Sequence, residues 1–471
     1  MGLAARIGQR VKVWVGRRMD PGMGKQIASI TGPAFLEIVL STLFGMVDMM
    51  MVGRISPAAI TSIGLTNQPF MLLLAIFSAV NVGTTAMVAW SVGSGDMPYA
   101  SAVTRQSLVI NAVLGVFLST LGALTARHVV VLMGAQDDTI DNAMVYFRIV
   151  SSGLVFQALS LGISAALRGA GETKLPMLYN LGSNLLNVLG NYVLIYGKFG
   201  FPRMEVAGAA LSTTLSRVLA CTVAVYVLFR RSRLSDTMRG SYRLNRSILR
   251  RIAAVGGPAA LEQFVLQSGL ILFARTVSGL GTNGFAAHQI GLNISGLSFS
   301  PSRAFGVAAT TLVGQSLGAG ELKKAQRYAS IVHHMAIAVA CLMGLVFLLF
   351  SHPLARLYTD DLEVAALAGT VLKILALAQP GQSTQLTLAG ALRGAGDTMY
   401  PLYASIFGIW IFRVAVAFVF VNVLGWGLIG AWSALVLDQY TRALIVLLRF
   451  RSGKWKVSRR RNPSDDMARE A

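Results

Sequence analysis

The sequence predicts an all-α polytopic membrane protein, with twelve transmembrane helices in two parallel-repeat six-helix bundles (6+6) related by a pseudo-two-fold axis along the membrane normal. Three observations predict it: an apolar, charge-poor composition, apolar runs of spanning length along the whole chain, and an internal repeat at constant offset. Of 471 residues, 54% are hydrophobic and 13% charged, with a mean hydropathy of +0.61. Soluble domains carry about 25% charge, so this chain is built for a solvent that tolerates few charges. About 20 apolar residues cross a bilayer as a helix. Barrel strands alternate apolar and polar residues over about ten positions, and no such alternation appears here.

Apolar runs between charged or Pro/Gly-rich breaks place the spans near 27–52, 57–92, 102–125, 140–167, 176–197, 206–229, 247–277, 284–317, 325–351, 364–392, 401–424 and 427–449. The second and eighth are too long to lie wholly in hydrocarbon and are expected to tilt or extend into water. This divides the chain into a cytoplasmic tail (1–25), an N-terminal lobe (26–229), a basic linker (230–246), a C-terminal lobe (247–450) and a second cytoplasmic tail (451–471). An excess of Lys and Arg marks the cytoplasmic side of a span. With both termini inside, that side holds the basic tails, Arg168, Lys174, the arginines from Arg230 to Arg251, Lys323, Lys324, Arg327 and Arg393, while Arg54, Arg127, Lys198, Arg203 and Arg356 fall outside. The net charge of +21 is thus an orientation signal. It is not a nucleic-acid surface, for no basic domain with interleaved aromatics stands apart. Cys221 and Cys341 both fall in apolar spans, which points to neither a disulfide nor a metal. The basic first 25 residues lack the apolar core of a signal peptide.

The repeat is the strongest organisational signal. Gly32-Pro33-Ala34-Phe35-Leu36-Glu37 returns as Gly257-Pro258-Ala259-Ala260-Leu261-Glu262. At the same offset, Leu167-Arg168-Gly169-Ala170-Gly171-Glu172-Thr173 returns as Leu392-Arg393-Gly394-Ala395-Gly396-Asp397-Thr398, Pro176 as Pro401 and Gly93 as Gly318. An offset enclosing six spans returns the chain to the same side, and parallel repeats place substrate between lobes near the midplane. The repeated loops read as structural: a basic residue at a helix C-terminus, glycine to end it, proline to start the next. Pro33, Pro69, Pro258, Pro301 and Pro380 lie inside spans, where proline kinks a helix.

Among the carboxylates, Glu37, Asp48, Glu262 and Asp438 fall within spans. An ionised acid at that depth must face water, find a partner or take up a proton, which makes these four the first candidates for chemistry. Glu37 and Asp48 are eleven helical steps apart, within about 20° on the helical wheel and roughly 16 Å along the axis. Asp48 is either a coupling carboxylate or a group solvated among headgroups, and Glu37 either shares that role or closes a buried hydrogen bond. Asn180, Asn184, Asn187 and Asn191 are spaced along one helical face of the fifth span. That face lines a polar interior or joins neighbouring helices by amide hydrogen bonds. Arg148, Arg217, Arg275, Arg303, Lys373, Arg413 and Arg442 lie in spans. Arg442, four residues after Asp438, suggests a pair within one helix. Arg303 and Arg413 lack an obvious acidic partner. They either face the cavity, favouring anionic or zwitterionic cargo, or bond to backbone carbonyls between helices.

Several segments together resemble the multidrug and toxic compound extrusion (MATE) family. They are Phe44-Gly45-Met46-Val47-Asp48-Met49-Met50-Met51-Val52-Gly53, Ala286-Ala287-His288-Gln289-Ile290, the run from Ala308 to Gly320 and both Leu-Arg-Gly-Ala-Gly loops. The resemblance implies export of small organic compounds by antiport with protons or sodium ions, across a bacterial inner membrane, by a multi-pass protein without cofactors and acting as a monomer. It implies a coupling site around Asp48, Asn187, Asn191 and Thr213 or Ser212, to which the spacing adds Glu37 and Asn184; the cavity candidates are Asn180, Glu262, Gln382, Arg303 and Arg413. Asn191 and Gln382 stand where some relatives carry aspartates, and Leu266 where others carry a seventh-span glutamate. The departure at Asn191 leaves fewer titratable groups and the ion's identity open, whereas those at Leu266 and Gln382 favour protons, with a sodium ion at Asp48 as the alternative and no other metal. Two further readings are a lipid-linked oligosaccharide flippase, which would want about fourteen spans, and a membrane-embedded transferase, for which no nucleophile–base or metal constellation is found.

Overall fold

A computed structural model of the chain describes residues 21–136 and 139–456. The basic residues assigned to the tails at 1–20 and from 457 onward lie outside the described residues. In chain order the helices are α1 Pro21–Gly53, α2 Pro57–Gly93, α3 Met97–Leu132, α4 Ile140–Ser152, α5 Leu154–Gly169, α6 Lys174–Tyr196 and α7 Glu205–Arg230. The second half holds α8 Arg246–Ser278, α9 Gly281–Ser298, α10 Ser300–Gly318, α11 Leu322–Arg356, α12 Leu362–Gly394, α13 Met399–Ile406 and α14 Gly427–Arg451. Helix ends follow local chemistry. Ser56 accepts the Ala59 amide at 3.1 Å to start α2, and Asp96 accepts that of Tyr99 at 2.9 Å to start α3. Gly197, with φ of +66°, ends α6 in the left-handed conformation that glycine adopts without penalty.

Three spans depart from single straight helices. The fourth is α4 and α5, bent by 46° at Gly153. Here Thr214 of α7 donates to the Ile149 carbonyl at 3.1 Å, and a side chain on Gly153 would meet Thr214 at 3.0 Å. The eighth is α9 and α10, broken at Phe299, so Pro301 lies in the first turn of a new helix where its missing N–H costs nothing. The eleventh continues α13 as π-helical turns over Phe407–Val416 and Val419–Val423. By length and apolarity alone, eight of the described helices suffice to cross a membrane, or nine if the bent α4–α5 pair is one span. Among the helices that fall short, α6 carries the asparagine row and α8 has charged ends. Their polar load lowers their hydropathy without shortening them.

Packing divides the described chain into two compact units. One contains Leu36–Ile271 with Pro401–Ile406; the other contains the residues up to Phe35, Leu272–Tyr400 and those from Phe407 on. The first is cored by Phe70, Phe77, Phe147, Leu154 and Ile195, with the Phe70 and Phe147 rings 5.1 Å apart. The second is cored by Phe273, Leu372, Leu375, Trp432 and Leu435. Each unit contains one copy of the repeated loop in the same conformation. Gly171 has φ of +85° and Gly396 of +78°. Thr85 donates to the Ala165 carbonyl at 3.0 Å, and Thr310, its repeat counterpart, donates to Gly390 at 2.9 Å. The first glycine of each loop lets two backbones touch. A side chain at Gly169 would meet the Thr85 carbonyl at 2.7 Å, and one at Gly394 the Thr310 carbonyl at 2.3 Å.

These contacts with rigid backbone make Gly394→Ala destabilising by about 1–3 kcal/mol, more than Gly169→Ala. Thermal unfolding of the purified variants in detergent checks this; unchanged midpoints would mean the two helices separate freely at that contact.

Candidate cation-coupling site

The first unit gathers the acids of α1 and the amides of α6. Glu37 is buried. Its Oε1 accepts from Arg168 Nη2, at the end of α5, at 2.6 Å and from Asn180 Nδ2 at 2.7 Å. One turn along α1, Ser41 Oγ accepts from Asn184 at 3.1 Å. Asn187 turns the other way and donates to Ser212 Oγ at 3.4 Å and Thr213 Oγ1 at 3.3 Å on α7, while Ser212 returns a bond to the Asn187 carbonyl at 2.8 Å. Asn191, fully buried, donates to Asp48 Oδ1. Beyond it, the Tyr196 hydroxyl donates to the Met51 carbonyl at 2.9 Å. The asparagine row is therefore a polar seam. Asn180, Asn184 and Asn191 meet α1, and Asn187 meets α7.

Two arginines complete this seam, and the sequence reading gave neither a role in it. Arg168 neutralises Glu37, so the repeated loop contributes a charge as well as a helix stop. Arg217 stands on α7, four residues after Thr213. It donates to the Val150 carbonyl at 3.3 Å and lies 5.8 Å from the centre of the Phe70 ring. A half-buried carboxylate held by one amide donor can exchange a small cation at limited electrostatic cost.

The remaining candidates lie apart from this seam. Glu262 is buried and accepts from Ser405 at 3.2 Å. Ser405 stands at the repeat position of Asn180, so the Glu37–Asn180 bond has its counterpart here. In the other unit, Gln382 is buried with its Oε1 unpartnered among the described residues, and Arg303 is exposed with no side-chain hydrogen bond or ion pair there. The reading of Arg413 as a residue without an acidic partner is corrected. Held 6% exposed on the π-helical turn, it pairs with Asp438 at 2.5 Å, and Arg442 pairs with the same carboxylate at 2.8 Å. Sequence missed this because the partner lies one span further on, and only packing brings them together. Gly408 makes room, since a side chain there would meet Asp438 and Arg442 at 2.4 Å.

The repeat offset relates the two clusters. Thr213 and Arg217 correspond to Asp438 and Arg442, whereas Asp48 corresponds to Phe273. The asparagines Asn184, Asn187 and Asn191 correspond to Ile409, Phe412 and Val416. The asparagine row thus belongs to the first half alone, and the second half, which keeps Glu262 at the repeat position of Glu37, has its other span acid in its last span, between two arginines.

A chain with eight, or with the bent pair nine, described helices long and apolar enough to cross a membrane is built as a multi-pass membrane protein. The MatE family profile matches residues 33–193 and 258–419, and the chain belongs to that family. It is 33% identical to "Probable multidrug resistance protein NorM" of Thermotoga maritima over 436 residues, 93% of this chain and 94% of the relative. It is 28% identical to "Multidrug resistance protein PmpM" of Pseudomonas aeruginosa, covering 90% of each. Among solved structures, the outward-facing conformation of a multidrug resistance MATE family transporter of the MOP superfamily superposes with a TM-score of 0.86 at 24% identity, over 93% of this chain and 97% of that one. A MOP superfamily transporter from Pyrococcus furiosus gives 0.85 at 24% identity, over 94% and 98%.

Removing Asp438 alone leaves two buried arginines unpaired, and breaking such a cluster costs about 3–5 kcal/mol. Asp438→Ala is expected to lower the unfolding midpoint and the folded yield sharply, while an Arg413→Met, Asp438→Leu, Arg442→Met triple variant recovers most of the loss. A triple variant as unstable as the single one would show that the cluster does more than neutralise itself.

Proposed function

We propose that the chain is a secondary active exporter of organic compounds, including drugs and toxic metabolites, driven by inward movement of protons through Asp48. It works by alternating access of its two lobes in a bacterial inner membrane, with both termini cytoplasmic. The observation that carries this reading is the seam itself: Asp48, a half-buried carboxylate of the apolar helix α1, held by the buried Asn191 amide of α6. Protonating Asp48 removes the charge that strengthens the bond it accepts from the Asn191 N–H. One tie between α1 and α6 is then weakened, while the Glu37–Arg168–Asn180 contact still holds the other part of α1. Differential affinity of this kind is what lets a bound ion shift a conformational equilibrium.

The arrangement favours a proton over sodium. A hard cation wants several oxygen ligands, whereas Asn191 presents its nitrogen to Asp48, Asn187 presents its nitrogen to Ser212 and Thr213, and Arg217 adds a positive charge nearby. Multidrug export comes to this chain from the names of its relatives. A second reading, export of organic anions, rests on Arg303, which is exposed and without a side-chain hydrogen bond or ion pair among the described residues. It would show as faster uptake of an organic acid than of a cationic dye in inverted vesicles, abolished by Arg303→Ala.

Asp48→Asn keeps the shape and the amide contact but not the charge. It is expected to reduce dye efflux driven by an imposed pH gradient at least about tenfold, within the range of coupling between two ligand sites, with normal membrane insertion. Glu37→Gln is expected to do less. Efflux that follows an imposed sodium gradient, or survives in Asp48→Asn, would defeat the proton reading.

A further inference from the structure

The segment joining α7 to α8 reads in sequence as a basic linker, but its backbone is pinned. Arg105 of α3 donates to the Thr237 carbonyl at 2.8 Å and to that of Ser241 at 3.2 Å. Its neighbour Gln106 donates to the Arg243 carbonyl at 2.7 Å and accepts the Asn245 amide at 3.0 Å. Ser101 and Thr237 share a hydrogen bond of 2.5 Å, and the Glu172 carboxylate accepts the Arg233 amide at 3.1 Å. Leu234 and Met238 are fully buried as apolar plugs on either side of a short 3-10 turn at Ser235–Thr237. Gly240 lies so close to the Arg105 guanidinium that a side chain there would meet it at 2.8 Å.

On this fixed backbone the side chains of Arg231, Arg233, Arg239, Arg243, Arg246 and Arg250 are all exposed. None makes an ion pair or side-chain hydrogen bond among the described residues. A signal that merely sets orientation needs only the charges, and a loose loop would let them spread apart. Here the backbone that carries them is fixed, and Asp236 is the one acid between Arg231 and Asn245. We propose that this segment is a docking surface for anionic phospholipid headgroups. Its position selects lipid over other polyanions: it begins where α7 leaves the membrane and ends where α8 re-enters, so it lies at headgroup level by connection alone. Guanidinium forks bind phosphate oxygens in pairs, and basic segments beside a span are drawn to anionic leaflets. The segment thus holds a shell of anionic lipid against the ends of α3, α7 and α8.

The test uses the full chain in phosphatidylcholine nanodiscs, with fluorescent phosphatidylglycerol as the probe and lipid retention as the reading. An Arg231→Gln, Arg233→Gln, Arg239→Gln, Arg243→Gln variant is expected to retain the probe about tenfold less well. A control variant with Arg54, Arg127, Lys198 and Arg203 changed to Gln loses as much charge on the opposite segments and is expected to stay within about twofold of the parent. These side chains are not part of the pinning network, so both variants should fold. As a measurement that needs no variant, raising salt from about 50 to about 500 mM should weaken retention by the parent chain severalfold. Equal loss in both variants, wild-type retention in the first, retention indifferent to salt, or displacement of the lipid by millimolar inorganic phosphate would each overturn the proposal.

Discussion

A carboxylate at membrane depth cannot be left alone, and this cost organises the polar interior of the molecule. Each half answers it differently. In the first unit, Glu37 and Asp48 are shared out along α6, one to Asn180 and Arg168, the other to Asn191. In the second, Asp438 is closed between Arg413 and Arg442. The first arrangement satisfies its acids mostly with neutral amides, whose hydrogen bonds can be exchanged at moderate cost. The second is a buried ion cluster, expensive to open. The adaptable site and the rigid one are therefore separated by half.

The same contrast appears in how α1 is held. Phe35, Leu36, Leu43, Val47, Met49 and Met50 are exposed within the described chain, and Met23, Ile27, Ile30, Ala34 and Val52 are the apolar side chains that α1 buries. Over its length from Glu37 to Met51 the helix is attached to α6 largely by polar contacts. The outward apolar side chains of a span meet lipid, so on its inward side this stretch depends on those exchangeable hydrogen bonds. In the core of the same unit, by contrast, Phe77, Phe147 and Leu154 are fully packed.

The two halves also show which parts of a duplicated scaffold must stay alike. The loops after α5 and α12 keep their glycines because helix backbones touch there, and they keep the Thr85–Ala165 and Thr310–Gly390 bonds that lock the contact. Positions facing the polar seam have no such packing constraint, and there the halves diverge, with asparagines on one side and Ile409, Phe412 and Val416 on the other.

By itself the sequence determined the helical class, the repeat and the identity of the acids and amides at membrane depth. Hydrophobic runs, a constant offset and the rarity of charge in a span are properties of the chain read in one dimension. The facing of Glu37 and Asp48 on one side of α1, and of the asparagines on one side of α6, was legible too, because helical periodicity relates neighbours on a single helix. What only the tertiary structure decided were the pairings between helices: Arg168 with Glu37, Asn191 with Asp48, Arg413 with Asp438. The same holds for the break at Gly153, the new helix at Pro301 and the π-helical turns around Arg413. Each depends on which surface of a distant helix comes to lie opposite, and no local periodicity records that.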